Sequence, residues 1–272
     1  MRAVSRTRIL IAAICLLIVY TTGTSRLHDI RDVMKADLKA SASVFPPQAL
    51  KIMAGEFKGL LGDLLLIDAA AFIGSNKKAT EEDWESLTLL FKQILALDPF
   101  FKQAYYLVQS SLTWDAKRHG DANELLAISR DSRTWDWLPG FFLGFNHFYF
   151  LNDNESASRH LMDASRVPSA PLGLATLAAR LAQKAGETIT AIVFLEAMLD
   201  KIDDEEQRKV IEARIEALKG ILVLDKAIKS YKERFGTTPE KLDDLINRGV
   251  IASLPKNPYE RPYTLKGEKV QF

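Results

Sequence analysis

The sequence predicts a mostly α-helical protein that opens on one apolar segment, continues as an array of paired helices and closes in a small α+β tail. Three observations predict it. An unbroken apolar run follows three arginines at the N-terminus. From residue 46 to 203, apolar residues recur at helical spacing between turn signals about 33 residues apart. The final segment replaces that pattern with closely spaced Gly and Pro and a short alternating stretch. The segments this implies are 1–25, an export or anchoring segment; 26–45, an amphipathic helix; 46–203, the helical array; and 204–272, a long helix with the tail.

Composition narrows the function classes. With 47% hydrophobic and 26% charged residues, 14 Gly and 10 Pro, the 272-residue chain is globular in type, neither disordered throughout nor collagen-like. Lys+Arg 36 against Asp+Glu 35 gives a formal net charge of +1, and no basic stripe stands out, which argues against nucleic acid as a partner. The single Cys15 excludes a disulfide framework within the chain and a thiolate zinc cluster.

Arg2, Arg6 and Arg8 precede the apolar run Ile9 to Tyr20, followed by Thr21, Thr22 and Gly23. A basic flank before a short apolar stretch marks an export segment. The run is about 12 residues, against roughly 20 for a bilayer core. Length favours a cleaved signal peptide, whereas the poor small-residue site and nearby Arg26 favour a retained anchor. Both readings stand. Ile14 occupies the position before Cys15 where lipidation needs a small residue, so Cys15 reads as part of the apolar segment. The arginines predict a cytoplasmic N-terminus and a translocated body. The expected location is the bacterial inner membrane with the body in the periplasm, or the periplasm itself after cleavage.

Leu27, Ile30, Val33, Met34 and Leu38 share helical spacing and predict an amphipathic helix ended before Phe45-Pro46-Pro47. Pro46-Pro47 stops that helix and can open the next. Gln48 to Ser75 is helical and apolar, with Gly59 and Gly62 allowing close helix contact. Asp63 and Asp68 project about 140° apart, which suits separate rim or capped positions better than a shared proton or metal. Thr80-Glu81-Glu82-Asp83 opens a helix that runs to Leu97. Asp98-Pro99, His119-Gly120-Asp121, Asn152-Asp153-Asn154, Ser169-Ala170-Pro171 and Ala185-Gly186-Glu187 mark the turns that follow.

Leu172 to Asp203 places Ala178 and Ala179 in one helix, Gly186 in the turn, and Ala191, Leu195 and Met198 in the next. Ala157, Leu161 and Ala164 repeat the second-helix pattern, and Ala157 to Ala191 is about one 34-residue period. These residues resemble the tetratricopeptide repeat, as does Leu97-Asp98-Pro99 before Phe101. Tyr105 to Ser129 fits that pattern poorly, and a non-repeating helical bundle is the alternative. The resemblance implies paired antiparallel helices and a concave protein-binding face.

Trp135 to Leu151 carries eight of the chain's 25 aromatic residues. Most of these rings are expected in the core between neighbouring helices. Tyr105, Tyr106, Phe145 and Tyr149 are the candidate partner-binding residues. His147 has no second His at helical spacing and reads as a hydrogen-bonded core or groove residue.

Asp203 to Phe235 predicts a long helix with two apolar stripes, Ile211-Ile215-Leu218-Leu222 and Leu224-Ile228-Tyr231-Phe235. Gly220 sits at the change of stripe as a bend or boundary. Gly236 ends the helix, Thr238 is placed to cap a short helix with Pro239 at its first position, Gly249 closes that helix, and residues 263–272 have hairpin character. Tyr231, Gly236, Pro239, Leu242, Leu245, Leu254, Pro255, Pro258, Pro262 and Tyr263 resemble the soluble C-terminal part of type II secretion pseudopilins and related pilins. Asn257, Tyr259 and Glu260 stand where that pattern has Asp, Trp and Gly. The chain lacks the pilin processing site and the later calcium loop, so the resemblance implies neither a pilin subunit nor a calcium site.

No Gly-x-Ser-x-Gly elbow, phosphate-binding loop or His-Glu-x-x-His occurs, and His28, His119, His147 and His160 are scattered. The expectation is a non-enzymatic envelope scaffold with no cofactor, no metal and no small-molecule substrate. It would bind a protein partner during assembly of a secretion, pilus or cytochrome system. The alternative is a structural component that joins such a complex through its tail.

Overall fold

The computed structural model describes residues 12–27, 45–74 and 78–272. They are mostly helical, with one two-stranded sheet near the C-terminus. The expected arginine flank, the first residues of the apolar run and most of the 26–45 helix lie outside the described residues. Residues 12–27 form a helix, α1, with exposed apolar side chains. Among the described residues, no helix is long and apolar enough to cross a membrane. The chain divides into two compact units, Met1–Leu125 and Leu126–Phe272.

In the first unit, α2 (Pro47–Ala54) starts as the Pro pair predicts, with Pro47 in its first turn. The expected continuous helix from Gln48 to Ser75 is instead interrupted. Gly55 takes φ +50°, and a 3-10 turn, Gly55–Phe57, leads into α3 (Lys58–Ile73). Gly62 lies buried against α4 (Glu81–Leu97), where a Cβ would stand 3.9 Å from the Leu97 Cβ, whereas Gly59 meets nothing. Thr80 caps α4 in a reciprocal box with Asp83: Asp83 N–H donates to Thr80 Oγ1 and Thr80 N–H to Asp83 Oδ2. The unit's core is built on Leu87, Leu90, Phe91, Ile94 and Leu95 of α4.

Asp98 ends α4 as expected, and α5 (Lys102–Leu107) runs on into a π-helical stretch, Val108–Asp115. The wider winding is invisible to a 3.6-residue pattern. The turn falls at Lys117, with φ +56°. His119-Gly120-Asp121 therefore begins α6 (His119–Ser132) rather than ending a helix.

The second unit stacks α7 (Leu138–Tyr149), α8 (Asn154–Ser165), α9 (Leu172–Ala185), α10 (Thr188–Leu199) and α11 (Glu205–Phe235), each packed on the next. Asn152 and Gly186 take positive φ at the predicted turns, and Asp153 and Asp204 cap α8 and α11. One apolar core runs from Ala157 through α9, α10 and α11 to Val270.

Helix α11 is continuous through Gly220, so the expected boundary does not fall there. Gly220 is needed for a different reason: a Cβ there would overlap the Tyr263 hydroxyl, which donates a 3.0 Å hydrogen bond to the Ala217 carbonyl. Ile211, Ile215, Leu218, Leu224, Ile228 and Tyr231 of the two apolar stripes lie on one buried face, whereas Leu222 is half-buried and Phe235 is 38% exposed. The short helix, α12 (Asp243–Asn247), starts later than Thr238 and Pro239 predict. Asp244 accepts from the Glu240 and Lys241 amides, while Thr238 Oγ1 donates to Glu268. The hairpin of β1 (Thr264–Lys266) and β2 (Lys269–Gln271) pairs Leu265 with Val270 across Gly267. It docks back on α9, with Lys269 Nζ donating to the Lys184 carbonyl at 3.1 Å.

Candidate functional site

The four residues singled out in the sequence fall into two pairs, one in each unit. In the first, Tyr105 and Tyr106 are adjacent on α5 and their rings stack at 4.9 Å. Tyr105 is fully buried, which makes it a core residue of the unit, while Tyr106 is 40% exposed beneath Lys102 Nζ. In the second, Phe145 and Tyr149 stand one helical turn apart on α7 and stack at 5.3 Å with their planes 10° apart. Phe141 extends that ladder by another turn, and Tyr149 is the exposed end.

The ladder occupies one side of α7 because glycines occupy another. A Cβ on Gly144 would come within 2.5 Å of Leu161 Cγ, and one on Gly140 within 3.0 Å of the Ala164 Cβ. The two glycines bring α7 and α8 together at close range. Gly-x-x-x-Gly spacing inside the aromatic run was the available signal for which face packs.

That close approach also brings together two histidines that the sequence spacing kept apart. His147 on α7 and His160 on α8 have ring centroids 5.1 Å apart. His147 Nδ1 lies 3.3 Å from Asp153 Oδ2, outside hydrogen-bond alignment, and Arg130 Nη1 lies 3.3 Å from His160 Nδ1. Burial, followed by the charges of His147 and Arg130, pushes the His160 imidazole down to about 4. It is therefore neutral at physiological pH. Among the described residues, no group of three or more His, Cys, Asp or Glu side chains is placed to hold a metal ion.

Sequence spacing also misses a concavity of the second unit, because two loops separated by a pair of helices build it. A cleft of ≈ 500 Å³ opens between the α8–α9 loop and the α10–α11 loop. Val167, Leu172, Phe194, Met198 and Ile202 give it an apolar lining, and Arg166 and Lys201 stand at its polar side with Asp203 and Asp204. The Arg166 guanidinium lies over the Phe194 ring at 5.8 Å and pairs with Asp163 at 2.7 Å. An apolar floor with a few charged groups at its margin suits a short apolar segment of another protein with polar flanks.

A second, smaller cleft of ≈ 340 Å³ lies where the tail meets α9 and α11. There Lys232 Nζ and Thr238 Oγ1 both reach Glu268 Oε1, at 2.8 and 3.1 Å. These bonds hold the tail against the helices, and they keep the Glu268 carboxyl below the usual range.

Comparison of the chain with family models, with curated proteins and with solved structures finds no match.

Proposed function

We propose that the chain is a non-enzymatic interaction scaffold of the bacterial envelope, exported or tethered through its N-terminal apolar segment. Its partner is a protein engaged by the stacked helices of residues 126–272. The observation that carries this reading is the cleft beside Phe194, Met198 and Ile202, built on consecutive helices that each pack on the next. The alanine positions that suggest tetratricopeptide repeats, Ala157, Ala178, Ala179 and Ala191, are all fully buried at helix contacts, as that reading requires.

The pilin-like reading of the tail finds support at one position. Glu260, which stands where the pseudopilin pattern has Gly, takes φ +56°. That is the left-handed backbone a glycine would favour. Asn257, in place of Asp, still accepts from the Tyr259 amide at 3.0 Å.

The test is affinity purification of the tagged full-length chain from gently solubilised envelopes, with and without Arg166→Glu and Lys201→Glu. Loss of one co-purifying protein from the variant, with an unchanged melting curve, is the expected result. Recovery of secretion or pilus components would make the tail resemblance functional. An unaltered set of partners removes the cleft from the account.

A further inference from the structure

The sharpest unexplained feature outside the cleft is the outer face of α3. Leu60, Leu64 and Ile67 are 51–63% exposed, and they follow one another at steps of four and three residues; Phe57, 72% exposed, stands just before them in the 3-10 turn. That is the spacing of a coiled-coil seam, in which apolar residues alternate between a and d positions. The opposite side of α3, with Gly62, Leu65 and Ala69, is the side buried in the unit. Water therefore meets a narrow apolar stripe on a helix whose other face is already in use.

The flanks of the stripe are charged in one sense. With Leu64 at a and Ile67 at d, Asp63 falls at g and Asp68 at e. Their projection about 140° apart places one carboxylate on each side of the seam.

These flanks select the occupant. In a parallel pair of helices, g on one chain meets the e five residues further on its partner, so two copies of α3 would set Asp63 against Asp68. In an antiparallel pair g meets g and e meets e, again carboxylate against carboxylate. Both homotypic arrangements repel. An anionic lipid surface meets the same acidic flanks. A helix with Lys or Arg at its own e and g positions meets opposite charge on both sides.

We propose that the α3 face is a docking seam for an amphipathic helix that carries apolar residues at a and d and basic residues at e and g. The seam supplies the burial, and Asp63 and Asp68 supply the choice of partner.

The experiment uses the full-length chain in phosphatidylcholine nanodiscs and two labelled synthetic three-heptad peptides, both with Leu at a and d. One carries Lys at e and g, the other Glu. Fluorescence anisotropy is expected to show the Lys peptide binding roughly tenfold more tightly than the Glu peptide. Asp63→Lys with Asp68→Lys should reverse that order, and Leu64→Ser should weaken the Lys peptide by a similar factor. Asp63→Asn with Asp68→Asn, which keeps side-chain size, should abolish the preference. Thermal melts of each variant separate lost binding from lost folding. Equal binding of the two peptides, or a preference unmoved by charge reversal, overturns the proposal. So does a failure of both peptides to bind, whether the wild-type chain self-associates, holds its α3 face against the nanodisc lipid, or does neither.

Discussion

Helices α3 and α9 are both rich in apolar residues, α3 the more so, and are used in opposite ways. Helix α9 buries Leu174, Ala175, Ala178, Ala179, Leu181 and Ala182 because α8 and α10 both pack on it. Helix α3 buries only Gly62, Leu65 and Ala69, chiefly against α4. Apolar content decides that a segment seeks cover, but the number of neighbouring elements decides how much cover it finds. Small residues give α9 two close neighbours; large ones on α3 leave a stripe for something else.

The largest expected effects lie where cover is complete. Leu181→Ala in α9 should destabilise the second unit by about 3 kcal/mol, and Tyr105→Ala should cost the first unit a similar amount, about 3–4 kcal/mol. Tyr149→Ala, at an exposed ring, should stay within about 0.5 kcal/mol. Urea melts of the three variants provide the check. A small loss for Tyr105→Ala would return that residue to the surface and reopen it as a binding group.

Gly220→Ala sharpens the comparison by testing a close approach that no apolar count reveals. Alanine gains up to about 1 kcal/mol in helix propensity, yet its Cβ overlaps the Tyr263 hydroxyl. A net loss of about 1–2 kcal/mol is expected. Adding Tyr263→Phe removes the overlapping oxygen and should return part of that loss. Strict additivity of the two changes would show that the two residues do not meet.

Protonation should loosen the α7–α8 contact. His160 is pushed from 6.5 to about 4 in the folded chain, so as the pH falls the unfolded chain takes up the proton first. Stability from this group is fully present above about pH 6.5 and is lost as the pH falls towards 4. His147, Arg130 and Arg159 oppose the added charge, and Asp163 favours it. The ring is only partly buried, so screening reduces the effect to on the order of 1 kcal/mol. Wild type should lose that much more stability than His160→Gln between pH 7 and pH 5. Equal losses would mean that His160 is accessible to protons in the folded state.

How much of this was legible in the sequence follows the same division between local and mutual features. Thr80 and Asp83 announced a helix start, and Asn152, Gly186, Gly236, Gly249 and Gly267 announced turns; all five take positive φ. Such signals lie within a few residues of the structure they determine. The role of Gly220 was not legible, because it depends on Tyr263, 43 positions away. The His147–His160 pair and the cleft beside Phe194 likewise arise where separate helices meet. The π-helical winding of Val108–Asp115 is hidden for a local reason, since its period differs from the one a helical pattern assumes. Tyr105 and Tyr106 were nominated together by composition. Helical geometry sends adjacent side chains in different directions, and one is buried while the other is partly exposed.

A smaller effect is expected at Glu260. Its left-handed backbone is uncomfortable for a side chain, and Glu260→Gly should raise stability by about 0.5–1 kcal/mol once glycine's extra freedom in the unfolded chain is set against the relief. A loss on that substitution would mean that the glutamate side chain, rather than the turn, holds the position. It would also weaken the pilin-like reading of the tail.

The smallest expected change closes the comparison with α3. Leu64→Ala removes the same atoms as Leu181→Ala, but from a side chain that is 51% exposed. With little area to return to water and no cavity to create, the loss should stay within about 0.5 kcal/mol. The two leucines therefore provide a paired measurement in one chain, identical in chemistry and different only in cover. If Leu64→Ala instead costs as much as Leu181→Ala in the isolated chain, something already covers α3, and the seam is occupied before any partner arrives. If it costs little alone but about 2 kcal/mol or more when the basic three-heptad peptide is bound, the peptide has supplied to α3 the second neighbour that α10 supplies to α9.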